Sequence, residues 1–334
     1  MKVTTIKDIA KLAGVSSATV SRILNGKGEA SEETIQRVNK IAEELNYTPN
    51  SLAKALSKGK TNVLALLIPN LNNPFFGEMV EVLSTVAQRE GYEIYLCNSN
   101  DKRENVEFYL QSIAANYACG AIISSLQVTK VDLVQLEKRG VHTITIDRAH
   151  FEHPYSSLIV DHEKGGYLAT NHLLKDANCR QIVYLSGPIT DDISGMRLNG
   201  YKKALEEFNC GLDKRLILNG SLNFESGYRA MEEFLKIDIS FDGLFCANDI
   251  MAHGAMRAIQ DAGLSVPKDI KVVGYDDLTM DKYSNPRLSS VTQHMDKTAE
   301  TVIQELKRLN EQNKIPKSYV ADPGLIIRES SKET

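Results

Sequence analysis

Apolar residues recur at helical spacing in three short stretches near the amino end, and the pattern changes to strand-like runs beyond residue 62. Ile6, Ile9, Ala10 and Ala13 share one face of a helix that Thr5-Ile6-Lys7-Asp8 starts and Gly14 stops. Val15 plugs the following turn, and Ser16 caps a second helix with the apolar face Val20, Ile23 and Leu24, ending near Asn25-Gly26. A third helix begins at Ser31, places Glu32 and Glu33 in its positive first turn, and offers Ile35, Val38, Ile41, Ala42 and Leu45. Helices this short bury their stripes only by sharing one core.

From Val63 to Pro69 the chain reads as a buried strand, followed by an amphipathic helix from Phe75 to Glu90. Strands at Glu93 to Cys97, Ala121 to Ser124 and Thr143 to Ile146 continue the alternation, which predicts a parallel sheet covered by helices. A second series begins near residue 162. Its strands are Ile182 to Leu185, Arg215 to Leu218, Gly243 to Cys246 and Ile270 to Gly274, between helices containing Leu205, Met231 and Met256. Two such lobes in tandem predict a cleft at the carboxyl ends of their strands.

A length of 334 residues fits two or three folded units, and 42% hydrophobic with 25% charged residues excludes wholesale disorder. No apolar run is long enough to span a bilayer, and Lys2, Lys7, Asp8 and Lys11 break any secretory leader, so a cytoplasmic, nucleoid-associated location without membrane contact is expected. Cys97, Cys119, Cys179, Cys210 and Cys246 are odd in number and widely spaced, which suits buried thiols in a reducing compartment. Charge is unevenly distributed: residues 1–60 hold ten Lys/Arg against six Asp/Glu, leaving 29 against 37 for the rest. A basic head on an acidic body suits attraction to phosphates.

Two short helices around a glycine-containing turn form a helix-turn-helix, whose second helix enters the major groove. Its outward residues here are Ser17, Ala18, Ser21 and Arg22. Arginine reaches guanine O6 and N7 with two parallel hydrogen bonds, while Ser17 and Ala18 offer small contacts. Asn50 to Leu56 is helix-competent but too short to be stable alone, and Ser57-Lys58-Gly59-Lys60 reads equally as a flexible basic linker.

The runs Thr5-Ile6-Lys7-Asp8-Ile9-Ala10, Ala13-Gly14-Val15-Ser16, Ala18-Thr19-Val20-Ser21-Arg22 and Leu45-Asn46-Tyr47-Thr48-Pro49-Asn50 resemble the head of the lac repressor family. The resemblance implies a sequence-specific repressor that binds palindromic double-stranded operator DNA as a homodimer. It makes Ser17, Ala18 and Arg22 base readers, with Thr5, Ser16, Thr19, Ser21, Asn25, Asn50, Ala53 and Lys54 as further DNA contacts. It also implies a hinge helix at about 50–58 that inserts Leu56 into the minor groove. The implied division is a DNA-binding unit at 1–60, a first lobe at 61–161 plus 290–323, and a second lobe at 162–289 plus 324–334. Chain crossings are expected near 160–162, 288–292 and 321–324, with Leu325 to Ser330 as a closing strand.

The body resembles the periplasmic sugar-binding fold, and its candidate cleft residues follow strands. A sugar offers hydroxyls and a C–H face, so its site needs carboxylates, amides and guanidinium beside flat aromatic walls. Phe75, Phe76 and Phe224 can supply walls, and Asn73, Asp147, Arg148, Arg197, Asn248, Asp276 and Gln293 hydrogen bonds. These positions resemble ribose-binding proteins and ribose operon repressors, although Ser125 stands where the periplasmic ribose protein has asparagine. The expected effector is therefore a small sugar, ribose or a similar pentose or hexose. Asn72 before Pro74 and Asp276-Asp277 also suit plain turns.

Enzymatic motifs such as G-x-x-x-x-G-K-S/T, G-x-S-x-G and H-E-x-x-H are absent, and no metal or cofactor is expected. His150 and His153 fall in a Pro-containing segment that reads as a loop. The same resemblance leaves open a catabolite-control regulator whose corepressor is a phosphocarrier protein. It also leaves open whether the ligand releases or tightens DNA binding.

Overall fold

The computed structural model describes residues 5–24, 30–45, 47, 61–115, 118–147, 153–188, 191–312 and 315–332. The chain forms two compact units, 1–61 and 62–334.

In the smaller unit α1 (Ile6–Ala13), α2 (Ser17–Leu24) and α3 (Glu32–Glu44) bury Ile9, Ala10, Ala13, Val20, Ile23, Val38 and Ala42 together. The caps explain the boundaries. Thr5 N and Oγ1 donate to Asp8 Oδ2 at 2.9 and 2.6 Å, and Gly14 ends α1 with φ 67°, a left-handed conformation that a side chain would strain. Ser16 Oγ accepts from Thr19 N at 3.1 Å, opening α2, and Ser31 Oγ accepts from Thr34 N at 3.4 Å, opening α3. Tyr47 packs beside this core.

The larger unit contains two six-stranded sheets. The first is built from β1 (Val63–Ile68), β2 (Glu93–Asn98), β3 (Gly120–Ile123), β4 (His142–Ile146), β5 (Ser156–Val160) and β11 (Ser318–Ala321), in the order β11-β5-β4-β3-β1-β2. All its pairings are parallel. Helices cover both faces: α4 (Pro74–Arg89) and α11 (Met295–Gln312) on one, α5 (Arg103–Ala115) and α6 (Lys130–Lys138) on the other. β1 shows why its sequence is apolar throughout. Leu64, Leu66 and Ile68 join the core with Leu83 and Leu306, whereas Ala65 and Leu67 join Val106 and Leu133 on the opposite face.

The second sheet comprises β6 (Ile182–Ser186), β7 (Ile217–Asn219), β8 (Gly243–Cys246), β9 (Lys271–Asp276), β10 (Ser289–Thr292) and β12 (Gly324–Ile326), ordered β12-β10-β9-β8-β6-β7. Only β12 runs antiparallel, against β10. Around it lie α7 (His162–Lys175), α8 (Asp192–Glu207), α9 (Phe224–Phe234) and α10 (Asp249–Asp261).

Three sequence expectations need correction. Residues 290–292 pair with β9 in the second sheet, so they belong to the second lobe and the crossing follows Thr292. The strand expected at Arg215 to Leu218 starts at Ile217, because Asp213 Oδ1 accepts from Arg215 N at 2.9 Å and winds Lys214–Leu216 into a 3-10 turn. The closing strand stops at Ile326, and Glu329–Ser331 form another 3-10 turn. That turn is anchored: Ser331 Oγ lies 2.8 Å from His172 Nε2, and Ser330 Oγ donates to Val272 O at 2.6 Å.

Candidate functional site

In the head, the inward positions Val20 and Ile23 of α2 leave Ala18 and Arg22 exposed and Ser17 and Ser21 half-buried on the outward side. Thr5 and Ser16 are exposed as well, but their hydroxyls serve the caps, and Ser16 Oγ also lies 2.9 Å from Thr19 Oγ1. Asn25, Asn50, Ala53, Lys54 and Leu56 lie outside the described residues.

In the body, both sheets change winding direction after their first strand, and the segments leaving the carboxyl ends converge on one cleft. Its first-lobe lining is Asn73, Phe75, Phe76, Met79, Ser124 and Asp147. The second lobe brings His162, Asp191, Ile193, Arg197, Leu222, Asn248, Asp276 and Gln293. The space between them is about 40 Å³, room for a few waters and too small for a monosaccharide.

Several of these groups have structural duties as well. Asn73 Oδ1 accepts from Phe75 N at 3.1 Å, starting α4 and setting Phe75 edge-on to Phe76, with ring centroids 5.3 Å apart. Asn248 Oδ1 accepts from Met251 N at 3.0 Å while its Nδ2 donates to Leu222 O at 3.2 Å. Gln293 Nε2 donates to Asp276 Oδ1 at 2.8 Å. The expectation that the Asp276-Asp277 pair shapes a turn is thus compatible with the place of Asp276 at the cleft, and it is Asn73, rather than the Asn72 expected to shape a turn, that caps α4 while lining the cleft.

Backbone strain aims two of the carboxylates. Asp147 has φ 55° and Asp276 φ 119°, values that cost an L residue on the order of 1–3 kcal/mol and persist where surroundings enforce them. Asp147 Oδ1 accepts from Val160 N at 2.7 Å, and its Oδ2 lies 3.4 Å from His162 Nε2. His162 Nδ1 is 3.0 Å from the Tyr275 hydroxyl. Burial lowers the pKa of the His162 imidazole against the opposing pull of Asp147, favouring the neutral ring.

Arg197 is the buried cation of the site. Its Nη1 donates to Ala247 O, its guanidinium stacks on Tyr275, and Nη2 lies 3.8 Å from Asp276 Oδ1. Burial works against its charge, but Tyr275 and Asp276, followed by Tyr184 and Asp191, hold its pKa above the usual value. Close helix packing places it: a Cβ on Gly166 of α7 would fall 2.1 Å from Arg197 O, and one on Gly200 of α8 2.0 Å from Glu163 O. Only glycine permits that approach.

Three buried polar atoms of this lining make no hydrogen bond: Asp191 Oδ1, Arg197 Nε and His162 Nε2, the last despite its ion-pair distance from Asp147. Buried polar groups are seldom left so, which marks the place where a ligand's own donors and acceptors fit. A larger groove of about 620 Å³ between α5 and α6 has no such atoms, and its Arg103 is forked onto Asp132, with Nη2 to Oδ1 at 2.9 Å.

Two expected residues are not in the lining. Ser125 is buried but its Oγ accepts from Gln127 N at 3.3 Å, and Ser124 takes its place at the cleft. Phe224 begins α9 and is 45% exposed, leaving Leu222 as the apolar contact from that loop. Arg148 lies outside the described residues. Sequence reasoning missed His162, Asp191, Ile193, Leu222, Ser124 and Met79; the strand-end rule applied to β5 and β6 would have found His162 and Asp191. Among the described residues no group of three or more His, Cys, Asp or Glu side chains could hold a metal, and no helix is long and apolar enough to cross a membrane.

Comparison with known proteins gives two family matches: bacterial regulatory proteins of the lacI family over residues 5–50, and a periplasmic binding protein-like domain over residues 170–331. The HTH-type transcriptional repressor PurR of Histophilus somni (strain 129Pt) is 32% identical over 331 residues, covering 98% of this chain and 99% of that one. The lac repressor dimer bound to operator and the anti-inducer ONPF superposes with a TM-score of 0.88 at 27% identity, covering 99% of each chain. A LacI family regulator from Enterococcus faecium with bound ribose has a TM-score of 0.73 at 26% identity, covering 80% of this chain and 98% of that one.

Proposed function

We propose, from the premise that the chain belongs to the lacI family of bacterial regulatory proteins and is a DNA-binding transcriptional repressor with a ligand-binding body, that its effector is a small neutral sugar held in the interlobe cleft. The observation that carries this reading is the set of unpartnered buried atoms, Asp191 Oδ1, Arg197 Nε and His162 Nε2, beside the aromatic pair Phe75 and Phe76. Carboxylate, guanidinium and imidazole around an apolar wall match alternating hydroxyls and a C–H face. The ribose-bound Enterococcus faecium regulator supports a pentose, ribose first, while the PurR name of the sequence relatives points to no sugar.

The cleft as built is too tight for a sugar, so binding requires the lobes to part and close again. Glu78 of α4 spans them, accepting from Thr279 N at 2.8 Å through Oε1, and Lys164 of α7 reaches Asp322 at 2.6 Å. Closure is the two-state element that ligand biases, and a homodimer reading a palindrome with α2 of each head is the output. The operator-bound lac repressor dimer supports this arrangement.

Calorimetry of the purified protein with D-ribose and then other pentoses and hexoses tests the reading. One neutral sugar bound per chain is expected, with binding lost in Asp276→Ala. A panel with no binding sugar, or an Asp276→Ala protein that still binds, contradicts it. Loss of the fold in Asp276→Ala would instead assign Asp276 to the turn alone.

A further inference from the structure

Asp191 carries more polar capacity than its place in the fold uses. It caps α8 through Oδ2, which accepts from Ser194 N at 3.2 Å and Ser194 Oγ at 2.7 Å. An N-cap needs no more than that one oxygen, since serine and asparagine cap equally well. The second oxygen, Oδ1, is buried on a residue 6% exposed, belongs to the cleft lining, and accepts no hydrogen bond. A buried carboxylate oxygen that no protein group serves takes its donor from what enters the cleft, and an effector hydroxyl is such a donor.

The charges around it narrow that ligand. Asp147, Asp191 and Asp276 line the cleft, and the cation among the described lining residues is Arg197. Its Nη1 donates to Ala247 O, its guanidinium carbon sits over the Tyr275 ring and Nη2 lies 3.8 Å from Asp276, which leaves Nε to meet a ligand. The neighbouring His162 is buried against Tyr275 and Asp147 and supplies no second cation. Among the described lining residues, an entering phosphate would face three carboxylates against the single cation Arg197, which already lies 3.8 Å from Asp276, whereas a hydroxyl donates to the carboxylates directly.

We infer that Asp191 is a specificity-determining residue that accepts a hydrogen bond from an effector hydroxyl and, with Asp147 and Asp276, excludes phosphorylated sugars from the cleft. This rests on the sugar reading proposed above and deepens it. The role separates from capping because asparagine and serine preserve the cap but not the charged acceptor.

The test is calorimetry of the full-length chain with paired probes: D-ribose and D-ribose 5-phosphate, D-glucose and D-glucose 6-phosphate. The protein is compared with Asp191→Asn and Asp191→Ser, whose thermal midpoints report that the cap is retained. At least one parent sugar is expected to bind the unaltered protein, with its phosphate ester about tenfold or more weaker. Both variants should bind that sugar about tenfold to a hundredfold less tightly, the range for a hydrogen bond to a charged group. The gap between sugar and ester should shrink in both. Sugar binding unchanged in Asp191→Asn and Asp191→Ser, or an ester bound as tightly as its parent, would overturn this inference while leaving the sugar cleft standing. Absence of binding by every probe would overturn both.

Discussion

The guanidinium carbon of Arg197 lies 3.6 Å from the centroid of the Tyr275 ring, and the Tyr275 hydroxyl in turn meets His162 Nδ1 at 3.0 Å. Flat stacking of this kind belongs to arginine, whose planar cation is weakly hydrated; an ammonium is neither planar nor able to span the same partners. Arg197→Lys is therefore expected to weaken binding of the neutral sugar about tenfold to a hundredfold, read by calorimetry. Lysine at this position with full sugar affinity would show that the stack contributes nothing to ligand recognition.

Arg22 is exposed on the outward side of α2, a residue away from the core position Ile23. Arg22→Ala should lose about 1–3 kcal/mol of discrimination at one base pair in each half-site, seen as relaxed preference when bound fragments are selected from a randomised pool. An unchanged preference would remove Arg22 from the base-reading set.

Asp249 and Asp281 form a buried acidic pair. Ser290 Oγ donates to Asp249 Oδ1 at 2.7 Å, and His253 Nε2 lies 2.7 Å from Asp281 Oδ1. Burial pushes both carboxyls up, Asp249 further through its closeness to Asp281, and Asp281 to about 7. The native chain thus holds a proton that the unfolded chain releases near its ordinary carboxyl range. Stability is expected to fall as pH rises through the window from about 4 to about 7, by at most about 1.4 kcal/mol per pH unit for this group. Asp281→Asn should flatten that slope and gain stability relative to the unaltered protein at pH 8. Denaturant unfolding at several pH values checks both signs.

Glu78 and Thr279 belong to different lobes and meet at 2.8 Å. If the closed form is the one that grips ligand, Glu78→Ala should weaken sugar binding several-fold, in keeping with about 1 kcal/mol for one hydrogen bond. Glu78 is not part of the cleft lining, so a larger loss is unexpected, and calorimetry distinguishes the two.

The head was legible in detail because three physical signals coincide there: caps at Thr5, Ser16 and Ser31, the stop at Gly14, and period-3.6 apolar faces that meet in one core. The sheets were legible as apolar runs because both their faces are covered, as β1 illustrates. Strand ends then pointed to Asn73, Asp147, Asn248 and Asp276. What failed was finer than an element. Ser125 was chosen one position beyond the residue that lines the cleft, and consecutive residues of an extended segment point opposite ways. Phe224 was read as a wall from residue type, but the first position of α9 faces outward. Asp191 carries no signal in the sequence that separates it from its neighbour Asp192, and only the hydrogen bonds show that one oxygen caps while the other does not. The strand β10 was assigned to the wrong lobe in part because its run of Ser289, Ser290 and Thr292 lacks the apolar signature of its neighbours.

The account stands or falls on coupling between the cleft and the DNA-binding head. The direct measurement is the affinity of the full-length chain for its neutral sugar, taken with and without a saturating palindromic DNA fragment selected from a random pool. Linkage requires the fold-change in sugar affinity caused by DNA to equal the fold-change in DNA affinity caused by sugar, and a regulator of this kind is expected to show about fivefold or more in each. Equal sugar affinity in the two titrations would contradict the account, since a ligand that binds both states alike cannot control the operator.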